Sequence, residues 1–170
     1  GAPRSVQAEL YRANTIESFD TGALRVITAS GASILFATTH AVPSNVGPVI
    51  HYRFEHADLY CEVPGSFRAR FSDGSVEDYG SPDASPREKL GRFVHDLESG
   101  TPTRCSIDDA IPQTLVVAAA HRSSEITTFP PELLLRTTTP TDEIVWVDGL
   151  QAGLTQCYAL GLLPSEHGGL

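Results

Sequence analysis

The sequence predicts an α+β protein built on an open-faced, largely antiparallel β-sheet, with helices on one face and a C-terminal helical tail. Two observations carry this. Through the first two thirds of the chain apolar and polar residues alternate with the period of two that a half-buried strand requires. Helical signals come only afterwards, without the β-α-β rhythm of a parallel sheet.

The first strand is expected over residues 5–11. Residues 24–28 and 33–40 flank the turn-prone Ala29-Ser30-Gly31-Ala32 and read as a hairpin, with Ile34, Phe36, Thr38 and His40 on one face. Residues 49–55 set Ile50, Tyr52 and Phe54 against His51, Arg53 and Glu55, and Leu59, Cys61 and Val63 continue the alternation past a turn near His56-Ala57. Residues 67–79 form a hairpin about Asp73-Gly74, a pair suited to a two-residue turn, which places Phe71 across from Val76 and Arg70 across from Glu77.

Composition shifts at Ser81-Pro82-Asp83-Ala84. Ser85, Pro86 and Glu88 then make a capping box, so a helix is expected over residues 86–99, with Leu90, Phe93, Val94 and Leu97 as its apolar stripe and Gly100 as its stop. Ser106, Asp108 and Asp109 begin a second helical signal that Pro112 should delay or kink, which puts the regular part at residues 113–124. Residues 115–120 are apolar on nearly every side and are expected to be buried between the sheet and another element. Residues 133–139 and 144–147 read as extended. Asp148 is the expected cap of a last helix carrying Leu150, Leu154, Cys157 and Tyr158, stopped by Gly161 and Pro164. The domain reading is one α+β domain over residues 1–140 and a tail over 141–170, too short for its own core. A sheet with one bare face needs a second layer if that face is as apolar as Phe36, Tyr52 and Phe54 suggest.

With 41% hydrophobic residues the chain can bury one core, and 12 basic against 21 acidic residues give a net charge of -9 that would repel a phosphate backbone, so no nucleic-acid partner is expected. No apolar run approaches the ~20 residues of a membrane span, so no membrane partner is expected either. Cys61, Cys105 and Cys157 are odd in number and widely spaced, which points to the reducing cytoplasm. The chain opens on Gly1 and contains no Met, which reads as a piece of a longer polypeptide.

Neither GxGxxG nor GxxxxGK[ST] is present, so no cofactor-binding residue, no catalytic residue and no metal ligand is assigned in this chain. Lys89, the sole lysine, reads as a solvated helix residue. His51 and His56 lack a third ligand at recognisable spacing. His95 and His121 read as structural, Asp108-Asp109 as a helix-start pair favoured by the dipole, and Cys61 as a buried thiol. The face carrying Arg25 is either solvent or a cleft. His40, at a strand end, is the best single candidate for chemistry, beside the plainer reading of a packed sheet histidine.

The segments Ala8-Glu9-Leu10-Tyr11-Arg12-Ala13-Asn14, Asp20-Thr21, Thr38-Thr39-His40-Ala41, Phe54-Glu55-His56-Ala57, Phe71-Ser72-Asp73-Gly74-Ser75, Ile111-Pro112-Gln113-Thr114-Leu115 and the closing Leu163-Pro164-Ser165-Glu166 stand in an order that resembles the C-terminal domain of Gfo/Idh/MocA oxidoreductases, the glucose-fructose oxidoreductase and inositol dehydrogenase group. The resemblance implies an N-terminal Rossmann domain as partner, NAD or NADP bound by that domain of the full-length parent, and hydride transfer at a sugar, cyclitol or related polyol hydroxyl. It also implies homo-oligomers formed through the open sheet face. The family's catalytic Glu-Lys-Pro and Asp/His positions have no counterpart here, since Glu88-Lys89 is followed by Leu90, so the chain alone should be inactive. Thr38, Thr39 and His40 are the expected substrate-binding residues. The alternative is a non-catalytic binding or dimerisation module using the same face.

Overall fold

The alternation in the first forty residues folds into a three-stranded meander, and everything else in that part of the chain packs on its two sides. The computed structural model describes residues 1–82, 85–103, 105–138 and 143–170. Its elements are β1 (Pro3–Arg12), β2 (Thr21–Thr28), β3 (Ser33–Thr39), β4 (Val49–Arg53), β5 (Ala57–Glu62), β6 (Arg68–Phe71), β7 (Val76–Asp78), α1 (Pro86–Ser99), α2 (Ile107–Ser123), β8 (Ile126–Thr128), β9 (Leu134–Thr138), β10 (Glu143–Val147) and α3 (Leu150–Leu160), with single 3-10 turns at Pro131–Leu133 and Pro164–His167. The fold is α+β with open, mostly antiparallel sheets, as expected. Residues 1–43 and 105–170 form one compact unit and residues 44–104 another. Asp83 and Ala84 of the expected composition shift lie outside the described residues, as does the expected boundary between residues 140 and 141.

In the first unit the sheet runs β3-β2-β1-β8, antiparallel except for the β1 and β8 pair. Partners directly across an antiparallel ladder share a face. The register Ala8↔Leu24↔Phe36 and Val6↔Val26↔Ile34 therefore puts these six side chains on one side. Helix α2 covers the middle of that side: Ala120 packs with Ala8, Leu10 and Leu24, and Val116 sits against the same group. The opposite side carries Tyr11 and Ala37. These pack on a second cluster made of Ala13, Ala41, Phe129, Val147, Leu150 and Leu154, supplied largely by the β9-β10 hairpin and α3. The tail thus lies on the sheet. Bare apolar surface remains on the α2 side, at the edge strand, where Ile34 is 49% and Phe36 53% exposed.

The second unit is the antiparallel meander β4-β5-β6-β7 followed by α1. One face of the meander is apolar, through Tyr52, Leu59, Ala69 and Phe71, and Tyr52, Phe54 and Tyr79 stand exposed around it. Helix α1 has the expected bounds and capping box: Ser85 Oγ accepts from Glu88 N at 3.1 Å, Glu88 Oε2 accepts from Ser85 N at 2.9 Å, and Gly100 ends the helix in the left-handed region. Its stripe Leu90, Phe93, Val94 and Leu97 is exposed.

Four expectations change. The β6-β7 connection is a three-residue loop, because Gly74, at φ +86°, adds a left-handed residue after the turn closed by Gly74 N donating to Phe71 O. Register shifts by one: Arg70 lies opposite Val76 and Ala69 opposite Glu77, and the ion pair is Arg68 with Asp78 at 3.2 Å. Helix α2 begins at Ile107, capped by Ser106, and continues without a break through Pro112, which lies in its second turn and removes one intrahelical N–H. Of residues 115–120 only Ala120 is buried, while Leu115 and Val117 are about half exposed, since α2 is covered on the sheet side alone. Helix α3 starts from Gly149 at φ +73°, with no side-chain cap, and the Asp148 N–H donates to Leu133 O instead. Reversing the chain after β10 requires the left-handed position, and only the glycine accepts it without strain.

Among the described residues no helix is long and apolar enough to cross a membrane. Leu10, 1% exposed between β2 and α2, anchors the first core. Leu10→Ala is expected to cost about 2–5 kcal/mol, read as a lower urea midpoint with unchanged slope.

Candidate functional site

The expected substrate-binding residues close β3, and the strand's pleat separates them. Thr39 lies across from Thr21, on the tail side of the sheet, and its Oγ1 is 2.8 Å from Thr21 Oγ1 and accepts from Ala41 N at 2.9 Å. Its hydroxyl is therefore engaged inside the fold. Thr38, paired with Gly22, faces the other way and is half-buried, and His40 is exposed, with its backbone N–H donating to Asp20 O at 2.8 Å.

Asp20 is what holds this strand end. Only 5% exposed, its carboxylate accepts from Ala13 N, Asn14 N, Asn14 Nδ2 and Thr21 Oγ1 at 2.8–3.2 Å. A buried carboxylate surrounded by four donors has its desolvation offset and its lone pairs occupied. It pins the β1-β2 connection and sets the position of Thr39 and His40. In the sequence Asp20 stands out only as part of the Asp20-Thr21 segment, because a lone Asp near a turn carries no signal of the donors it will gather.

A second polar group lies on the tail side. Glu9 accepts from Tyr11 Oη at 2.6 Å, Ser165 Oγ at 2.6 Å and Ser165 N at 3.0 Å. Arg25 forks onto Glu166 with both N–H···O distances at 2.6 Å and also donates to Gly161 O at 3.1 Å. The face of Arg25, open in the sequence, is thus the docking surface of the C-terminal turn. The Arg25 guanidinium, joined by the Leu163 N–H, holds the Glu166 carboxyl down at about 2. Burial first, and the Glu9 carboxylate second, push the Tyr11 phenol upward.

The remaining candidates are local. His51 Nε2 is 2.9 Å from Asp58 Oδ1 and His56 Nε2 is 3.7 Å from Glu55 Oε1, two separate pairs. Among the described residues no group of three His, Cys, Asp or Glu side chains could hold a metal ion. Asp109 accepts from Ser106 N and Ser106 Oγ at the start of α2, which fits the helix-start reading. Cys61 is fully buried, Lys89 and His95 are exposed, and the His121 ring lies 5.3 Å from that of Phe19.

By sequence alone, no family profile and no curated protein matches the chain. Its fold does match solved structures. An oxidoreductase from Agrobacterium radiobacter in complex with NAD+, L-tartaric acid and magnesium superposes with a TM-score of 0.56 at 17% identity, over 69% of this chain and 40% of that one. UDP-N-acetylglucosamine 3-dehydrogenase from Acidithiobacillus ferrooxidans gives 0.57 at 14% identity, over 72% and 39%. A 3-ketoreductase from Actinomadura kijaniata in complex with TDP-benzene and NADP gives 0.55 at 16%, over 73% and 41%. All three are oxidoreductases by description, in keeping with the class the sequence resembles, and at such identities the likeness establishes the fold alone. The chain spans about two fifths of the length of these proteins.

The Arg25–Glu166 fork makes a pH prediction. A carboxyl depressed in the folded state contributes fully above its ordinary range near 4.5, and the contribution is lost as pH falls through about 2. The C-terminal turn is therefore expected to stay docked at pH 5 and to loosen progressively below pH 4, read by amide hydrogen exchange of residues 161–168. Glu166→Gln should give faster exchange there at pH 5 and remove most of the acid dependence.

Proposed function

We propose that this chain is the substrate-side and assembly part of an NAD(P)-dependent oxidoreductase acting on a hydroxyl or ketone of a sugar, cyclitol or related polyol. The observation that carries the reading is the lopsided coverage. About 70% of this chain superposes on only about 40% of chains whose structures contain NAD+ or NADP. The chain has no glycine-rich phosphate cradle in its sequence, so the dinucleotide is assigned to a partner Rossmann domain of the same parent.

In this reading the chain contributes position. Holding a hydroxyl against a nicotinamide ring lowers the entropic part of the barrier, and a second domain supplies that by closing on the substrate. Thr38, Thr39 and His40 form the substrate edge. The Thr38 hydroxyl and the His40 imidazole bond the polyol oxygens, and Thr39, bonded to Thr21 and to the Ala41 N–H, keeps the strand end in place for them. The apolar sheet surfaces, Ile34 and Phe36 in one unit and Tyr52 and Phe54 in the other, mediate homo-oligomer formation. Cytoplasmic location is part of the same reading, and the three free cysteines support it.

The exposed aromatic face of the second unit favours one other reading, a dimerisation module that never meets a nucleotide domain. Sequencing the reading frame upstream of Gly1 separates the two: a β-α-β unit carrying GxGxxG is expected, and its absence would end the oxidoreductase assignment. In the full-length protein, Thr38→Val and His40→Ala are each expected to lower kcat/KM for the polyol about three- to tenfold, the loss of one hydrogen bond. NAD(P) affinity should be unchanged, and unchanged kcat/KM in both variants would remove these residues from the substrate site.

A further inference from the structure

Helix α3 buries Leu150, Leu154 and Cys157 against the sheet and turns Ala152, Thr155, Gln156 and Ala159 outward. Beside this outer face stands Trp146 of β10, the single tryptophan of the chain. Trp146 Nε1 donates to Thr137 Oγ1 across the hairpin at 3.3 Å, which ties down the polar edge of the indole. Trp146, these helix residues and Pro43 together line an open concavity of about 540 Å3. That volume is within the range of small-molecule pockets, about 300–1,000 Å3.

We propose that this concavity binds a neutral saccharide ring, with the ring's C–H face on Trp146 and its hydroxyls bonded by Gln156 and Thr155. Among the described residues no ionisable side chain lines the concavity, so none of them pairs with a phosphate, a carboxylate or a cation. An indole offers a broad apolar face, and a carboxamide offers a donor and an acceptor together, the pair of functions that a polyhydroxylated ring presents along its rim. Thr155 Oγ1 donates to Gln151 O at 2.7 Å, so toward a ligand it is an acceptor for a sugar O–H. The other lining residues bring a hydroxyl and carboxamides, and among the described residues no second aromatic side chain. That suits a thick, puckered ring better than a flat heterocycle stacked on both faces. The site belongs wholly to the chain in hand and needs neither cofactor nor nucleotide domain, so it stands or falls apart from the oxidoreductase reading.

Because Trp146 is the only indole, its fluorescence reports on the site directly. Titration of the 170-residue chain with methyl β-D-glucopyranoside and with myo-inositol is expected to give a saturable emission change in the millimolar range. Glucose 6-phosphate and adenosine should bind at least tenfold more weakly. Ala152→Arg, at an exposed helix position, fills the concavity and should abolish the response, and Gln156→Ala should weaken it about three- to tenfold. A linear response without saturation, an undiminished response in Ala152→Arg, or tighter binding of adenosine would overturn the proposal. So would an emission change on raising protein concentration without sugar, which would mean that a second copy of the chain covers the concavity.

Discussion

The first unit depends on the two-residue period of β1. Leu10 and Ala8 turn to α2 and close one core, while Glu9 and Tyr11 turn the other way, to the C-terminal turn and the second core. One strand thereby serves two interiors, and a slip of a single residue would exchange an aliphatic pair for a carboxylate and a phenol. The long ladder with β2, from Pro3↔Thr28 to Tyr11↔Thr21, resists such a slip.

From that division the polar features follow. Glu9 and Arg25 lie on the tail side because Leu10 and Leu24 lie on the other, and each receives part of the turn at Gly161 to Glu166. Where β1 ends and β2 begins, Asp20 gathers the donors of Ala13, Asn14 and Thr21 and holds the end of β3 through its own carbonyl. Thr39 inherits an internal role from its side of the pleat, and Thr38 and His40 keep theirs open. A single alternation thus sorts the strand-end residues into one bonded within the fold and two left on the outside.

How far the sequence could be read varied with the range of the interactions. Helix α1 was legible to its end residues because Ser85, Pro86, Glu88 and Gly100 are all local signals. The β2-β3 hairpin was legible from its alternation and its turn. The β6-β7 register was not: Asp73-Gly74 serves a two-residue or a three-residue loop, and Asp73 accepting from Ser75 N and Oγ goes with the longer one. Asp148 looked like a cap, but the chain's reversal demanded the left-handed Gly149 one position later. The strand-end triplet could be singled out as an expectation from its position alone, whereas the carboxylate cage of Asp20 and the Arg25–Glu166 fork, 141 residues apart in sequence, had no local signal.

Strand alternation and the bounds of α1 were determined by the sequence, since each rests on side chains within a few residues of one another, and the resemblance to an oxidoreductase C-terminal domain rested on the order of short segments along the chain. Tertiary structure alone decided that the tail lies across the sheet from α2, that the exposed apolar strip of β3 is on the same side as that helix, and that Trp146 lines one concavity with the outer residues of α3. Each of those outcomes joins segments far apart in the chain, and only packing brings them together.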